Sequence, residues 1–223
     1  MNRLRSTLTV LGTAAAGAAA YHTLVRPQIR HWGSEERERQ QFLAGDDLVA
    51  DPRTVTTRAI SIEAPPAAVW PWLAQMGQQR GGFYSYDWLE RLAGLDIHNA
   101  DRVYPEWQDI AVGDKVYLSP GSAMIVAEIV PEETLVLIQE APIGERPNDV
   151  LRWSWGFHLE PVGASRTRLL VRTRVSWTPD GLLGLFLGAP VEALHFVMER
   201  GMLQGLKERA ETNAAPRRSP SAS

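Results

Sequence analysis

The chain has 223 residues, 44% of them hydrophobic, with 23 basic and 26 acidic side chains and a formal charge of -3. That length suits one domain of about 150 to 170 residues plus tails, enough to bury a core and enclose a cavity. The near-balance of charge leaves no basic excess to neutralise phosphates, which excludes a nucleic-acid partner, and the absence of cysteine excludes disulfides, thiolate catalysis and cysteine-type zinc sites.

Between Arg5 and Arg26 the uncharged run Ser6 to Val25, STLTVLGTAAAGAAAYHTLV, is about as long as a bilayer core requires. Alanine contributes little transfer free energy, and Gly12, Thr13, Gly17 and His22 dilute the run further. Residues 1–30 are read as a signal-anchor helix, giving a single N-terminal membrane attachment with the membrane as a partner. A secretory signal cleaved after Ala18-Ala19-Ala20 and an amphipathic or disordered leader are the alternatives. Residues 31–53 carry SEERERQQFLAGDDLVAD, a charged stretch that reads as a short solvated helix or linker.

The folded domain is expected over residues 54–212. Val55 to Ile62 alternates as a first strand that ends at Pro65. Pro65-Pro66 opens a helix, Gly77 closes it, and Pro71 in its middle predicts that it is kinked or very short. A second helix follows over Ser85 to Leu92, with Ser85 as N-cap and Gly94 past its end. Strands are expected over Lys115 to Leu118, Met124 to Val130, Leu135 to Glu140, Val150 to Glu160 and Thr167 to Trp177, joined by short turns that favour antiparallel neighbours. In the fifth and sixth strands Leu151, Trp153, Trp155, Phe157 and Leu159 share one face, as do Leu169, Val171, Thr173, Val175 and Trp177. The opposite face, with Arg168, Arg172, Arg174 and His158, reads as wet. A last helix over about Ala189 to Glu211 carries Val191, Leu194, His195, Met198, Met202 and Leu206 at spacings of three and four, an apolar stripe. Gly201 and Gly205 inside it imply close packing or ligand room. Residues 213–223 read as a disordered tail.

Strand, helix pair, antiparallel strands and long final helix is the order of the helix-grip fold. Trp70-Pro71-Trp72-Leu73-Ala74-Gln75-Met76-Gly77, followed by Arg80-Gly81-Gly82-Phe83-Tyr84-Ser85-Tyr86-Asp87-Trp88, resembles the START-like or SRPBCC superfamily (polyketide cyclase/dehydrase-like, lipid-transfer and pollen-allergen-like proteins), in a branch common among bacterial proteins. The resemblance runs over roughly Thr54 to Thr212. It implies an α+β helix-grip fold, with a curved antiparallel sheet wrapped around the C-terminal helix and two short helices after the first strand.

The apolar strand faces and the helix stripe then converge on an internal cavity, and the expected partner is a small hydrophobic ligand such as a lipid, isoprenoid or polyketide-like molecule. Trp70, Tyr84, Tyr86, Trp153, Trp155, Leu194, His195, Met198 and Met202 are the candidate ligand-binding residues. A cyclase/dehydrase-type enzyme working in the same cavity is the alternative, its acid/base pair drawn from Tyr84, Asp96, His98, Asp101 and His195. A folded interaction module with a filled core is a third reading. Asp96-Ile97-His98-Asn99-Ala100-Asp101-Arg102 holds ligand-type residues at a spacing that matches no standard metal site, so neither a metal nor a cofactor is expected.

Overall fold

Alternation of apolar and polar residues sets six strands: β1 (Thr54–Ile62), β2 (Lys115–Ser119), β3 (Ser122–Val130), β4 (Thr134–Pro142), β5 (Val150–Val162) and β6 (Arg166–Trp177). The computed structural model describes residues 16–17, 19–86, 98–143, 145–146, 149–178 and 182–214, with the backbone alone for residues 182–190. Neighbouring strands are antiparallel, in the spatial order β1-β6-β5-β4-β3-β2. Register shifts at Tyr117/Ser119 and Val126/Glu128 bend the β2–β3–β4 end. The result is the expected α+β helix-grip architecture, an open, curved sheet around a long last helix.

Four α-helices accompany the sheet among the described residues: α1 (Arg26–Arg30), α2 (Glu36–Gln40), α3 (Pro66–Ala74) and α4 (Leu182–Ala214). Proline at its first position and Pro71 inside it keep α3 short. The second helix expected at Ser85 to Leu92 falls mostly outside the described residues. The core lies between the concave face of the sheet, α3 and α4. There Trp72, Leu73, Leu137, Phe157, Leu169, Leu203 and Leu206 are fully buried, each contributing about 1.5 to 3 kcal/mol relative to exposure.

The apolar stripe of α4 has a different phase from the one its sequence suggests. Glu199, Met202, Leu203, Leu206 and Ala210 are buried, whereas Val191 and Leu194 stay exposed. The pivot is Glu199, a charged residue that an apolar count passes over.

The convex face is not the wet surface expected of it. The segment from Trp32 to Ala50 crosses the outer edge of β1 and lies over that face as a strap. Arg168, Arg172 and Arg174, at alternate positions of β6, hold it. The guanidinium of Arg172 donates to Thr57 Oγ1, Asp46 Oδ2 and the carbonyls of Glu38, Arg39 and Gln41. Arg168 forks onto Glu38 at 2.7 and 3.0 Å, and Arg174 donates to Val49 O. Leu43 packs on Ala59 and Leu170 beneath the strap. A charged stretch that reads as solvated is therefore paired, because the arginines opposite it lie more than 120 residues downstream and no local spacing shows them.

The strap also satisfies the free edge of β1. The amide of Ala59 donates to Trp32 O, and Ser34 Oγ donates to Thr57 O. Further along, Lys207 Nζ donates to Ser61 O, and the Glu63 amide donates to Glu211. A row of unpaired edge groups is thereby closed off.

The expectation of a single N-terminal membrane anchor, with the membrane as partner, is corrected. Among the described residues no helix is long and apolar enough to cross a membrane. The helical end of the run passes directly into α1, where Arg26 and Arg30 both pair with Glu192 of α4 and Ile29 is buried. Those charges dock the end of the run against the domain. Residues 1–15 and 18 lie outside the described residues.

Candidate functional site

Inward-facing aromatic residues form a continuous floor on β5. Trp153 and Trp155 stack with centroids 6.0 Å apart, Trp155 lies 4.8 Å from Phe157, and Phe83 leans on Trp155 at 6.3 Å. The period of two along a strand brings them to one side, and Phe83 arrives from the turn that follows α3.

Polar groups interrupt the apolar enclosure where α4 crosses this floor. Arg58, on the inner face of β1 between Thr56 and Ile60, forms an ion pair with Glu199 of α4, and their side chains are 0% and 1% exposed. Arg58 also donates to Ile29 O at 2.9 Å and rests on the Phe196 ring. Glu199 accepts from Trp155 Nε1 at 3.3 Å. His195, one turn earlier, stands edge-on to Trp153 and Trp155 at 6.0 and 6.3 Å. Its Nδ1 is 3.4 Å from Arg58 Nη1 and 3.8 Å from Glu199 Oε2.

Burial lowers the pKa of His195; the Glu199 carboxylate opposes that shift, and Arg58 adds to it. The imidazole is thus neutral at pH 7. In that form Nδ1 accepts from the guanidinium, and the ring proton sits on Nε2. Arginine, glutamate and neutral histidine leave the group with no net charge.

The structure brings some of the expected site residues together and separates others. Trp153, Trp155 and His195 meet at the polar cluster. Met202 is buried in the core below it, and Met198 is half-buried beside it. Leu194 is 49% exposed at the rim. Trp70 packs half-buried against the core from α3. Tyr84 is buried, and its hydroxyl donates to Trp72 O at 2.9 Å; desolvation pushes its phenol well above the ordinary range, which removes it as an acid or base at neutral pH. The Tyr84 to Tyr86 turn rests on Gly201 and Gly205, where a Cβ would stand 2.7 Å from the Tyr86 ring and 2.1 Å from Tyr84 O. Both glycines therefore let this turn lie close against α4.

Within the stretch from Asp96 to Arg102, the described residue Asn99 supports the same turn. Asn99 Oδ1 accepts from the Tyr84 amide. His98 and Asp101 are exposed, and Asp96 is outside the described residues. No group of three or more His, Asp or Glu side chains that could hold a metal occurs among the described residues.

Sequence reasoning missed Arg58 and Glu199. A charge at an inward position of β1, between Thr56 and Ile60, was the available signal.

Surface crevices among the described residues include two that lie elsewhere. The larger, about 530 Å³, opens on the convex side between Phe42, Leu43, the β3–β4 turn and the His158 end of β5. Burial drives the His158 pKa down to about 4, helped by Arg172 and opposed by Asp46. The smaller, about 160 Å³, lies between Trp72, Asp101 and the end of α4.

No family model and no curated protein matches the chain. Similar solved structures include protein MLL2253 from Mesorhizobium loti, 18% identical over 71% of this chain and 98% of that one, with a TM-score of 0.41. Another is the hypothetical protein jhp0584 from Helicobacter pylori, 12% identical over 76% and 95%, with a TM-score of 0.48. A third is protein NE0264 from Nitrosomonas europaea, 14% identical over 71% and 95%, with a TM-score of 0.46. Likenesses at this level assign no activity to the chain.

Proposed function

We propose that this chain is a START-like (SRPBCC) protein that holds a small hydrophobic ligand between the concave face of its sheet and α4. One observation carries the reading: the aromatic floor of Trp153, Trp155 and Phe157 is crossed by a charge-balanced buried cluster rather than by aliphatic side chains alone. A core built only for stability gains little from a buried ion pair, because desolvating two charges offsets most of their attraction. Large apolar walls with a few placed polar groups are the usual composition of a small-molecule site. The residues bearing on the ligand are Trp153, Trp155, His195 and Met198.

The test is binding of the uncharged dye N-phenyl-1-naphthylamine. Wild-type protein is expected to enhance its fluorescence saturably, and Met198→Trp, which places a bulky ring at the half-buried edge of the Trp153–Trp155 floor, is expected to abolish that while leaving the circular dichroism unchanged. Wild-type protein that binds no dye refutes the reading and leaves a folded interaction module.

A second reading, the cyclase/dehydrase-type enzyme, is favoured by one feature. His195 and Glu199 lie side by side, one neutral and able to take a proton, the other an acceptor held by Arg58. Turnover would then require both residues, whereas simple binding would survive loss of the His195 imidazole.

A further inference from the structure

Thr56 faces Thr173 directly across the β1–β6 pairing, and Thr173 faces Trp155 across β5–β6. Arg58 and Trp153 are the next inward residues, one to either side of that row. Directly paired residues have Cβ atoms about 5 Å apart, which sets Thr56, Thr173 and Trp155 side by side; Arg58 and Trp153, from opposite sides of that row, both reach His195, at 3.4 Å from its Nδ1 and 6.0 Å from its ring. Thr56, Thr173 and Arg58 are 2%, 4% and 0% exposed. Among the described residues, Thr56 Oγ1, Thr173 Oγ1, Arg58 Nη2 and Trp153 Nε1 are buried with no hydrogen-bond partner. Buried polar atoms are nearly always paired, so these orphans from three neighbouring strands of the concave face need an explanation.

Their chemistry restricts the occupant. Arg58 Nη2 and Trp153 Nε1 are donors only, and the two hydroxyls donate or accept. The occupant must therefore present an acceptor. Its charge is restricted as well: Glu199 already neutralises Arg58, and His195 is neutral. An arriving carboxylate would meet the Glu199 carboxylate with no cation left over, in surroundings too dry to screen the repulsion.

We propose that Thr56, Thr173, Arg58 and Trp153 form a subsite for an uncharged carbonyl oxygen, so that the ligand is a neutral ketone or ester with an apolar body lying on the Trp153–Trp155 floor. The inference rests on the ligand-binding reading above and names its ligand class. The half-buried Trp153, His195 and Met198, beside the exposed Leu194, mark the edge from which the ligand enters. The apolar body then extends along Trp155 and Phe157 toward Met202.

The experiment is displacement of bound N-phenyl-1-naphthylamine from the full chain by three molecules of equal chain length: undecane, 2-undecanone and undecanoate. The ketone is expected to displace the dye at a concentration at least about tenfold below either of the others, since a site with buried donors rejects analogues that cannot satisfy them. In Thr56→Val/Thr173→Val the dye is expected to bind as before, and the ketone's advantage over undecane to fall to within about threefold. This variant is expected to melt at or above the wild-type temperature, because it removes two hydroxyls that have no partner in the free protein. Equal displacement by ketone and alkane, tightest displacement by undecanoate, or a clear drop in the variant's melting temperature would each overturn the carbonyl subsite while leaving apolar binding standing. Failure of the dye itself to bind would overturn the ligand-binding reading, and the subsite with it.

Discussion

Glu199→Gln removes one charge from the Arg58–Glu199 pair at almost constant shape. Both side chains are sealed from water, at 0% and 1% exposure, so the orphaned guanidinium has no solvent to turn to. At a contact separation of about 3 to 4 Å and an effective dielectric constant of about 20, the lost attraction is about 4 to 5.5 kcal/mol. The amide still accepts from Trp155, and Arg58 keeps Ile29 O and the Phe196 face, which recovers part of it. The expected loss of unfolding free energy is about 3 to 4 kcal/mol, within the range of about 3 to 5 kcal/mol found when one member of a buried pair is removed. Urea unfolding followed by tryptophan fluorescence measures it. Replacing both partners, Arg58→Met with Glu199→Leu, is expected to return stability to within about 2 kcal/mol of wild type, because no charge is then left buried. The His195 pKa gives an independent readout. Glu199 raises it against the larger effect of burial, so in Glu199→Gln the imidazole proton signals should titrate at lower pH than in wild type. A loss below about 1 kcal/mol in the single variant, with His195 unmoved, would show that the pair does not form as described.

His158 gives a pH dependence with a definite sign. Its folded-state pKa is about 4 against 6.5 for the free group, so between those values the unfolded chain binds the extra proton; stability is complete above pH 6.5 and is lost as pH falls toward 4. Going from pH 7.5 to 5 is expected to cost about 2 kcal/mol through this residue, seen as a shallower pH slope of urea stability in His158→Gln than in wild type; parallel slopes would refute the assignment. Gly205→Ala is expected to destabilise by about 1 to 3 kcal/mol despite the better helix propensity of alanine, because the new Cβ would stand 2.1 Å from Tyr84 O. A higher melting temperature in that variant would show that the Tyr84 turn does not rest on α4.

The strands were legible because their signal is local. The inward row of Trp153, Trp155, Phe157 and Leu159 follows from alternation alone, and Pro71 shortens its helix wherever the rest of the chain goes. Glu140 and Arg152, opposite one another on adjacent strands, pair at 2.8 Å on the exposed side. The candidate site was half legible. Its aromatic floor was visible, but its charges were not, because the meaning of Arg58 depends on Glu199, 141 residues away. The phase of α4 failed for the same reason, since Glu199 reads as a surface residue until its partner is known. The strap failed because the acids of residues 35–47 look solvated in any local window, and the arginines that hold them belong to the last strand. The N-terminal run was judged by length and weak apolarity, and its docking through Arg26 and Arg30 depends on Glu192, again from the far end of the chain.

The strap has a consequence for how the molecule is made. Arg172 and Asp46 are 126 residues apart, Arg58 and Glu199 141, and Arg26 and Glu192 166. Synthesis at about 5 to 20 residues per second separates the emergence of Arg58 from that of Glu199 by roughly 7 to 28 s. For most of that interval, until residues 166–177 emerge, the first strand lacks its sheet neighbour β6 and the strap has nothing to lie on. Folding that waits for such distant closures is slow for its size, and the acidic stretch before β1 keeps the waiting N-terminal part of the nascent chain charged and hydrated. The carboxylates that later lock the strap to β6 thus first protect the unfinished chain from association with its neighbours.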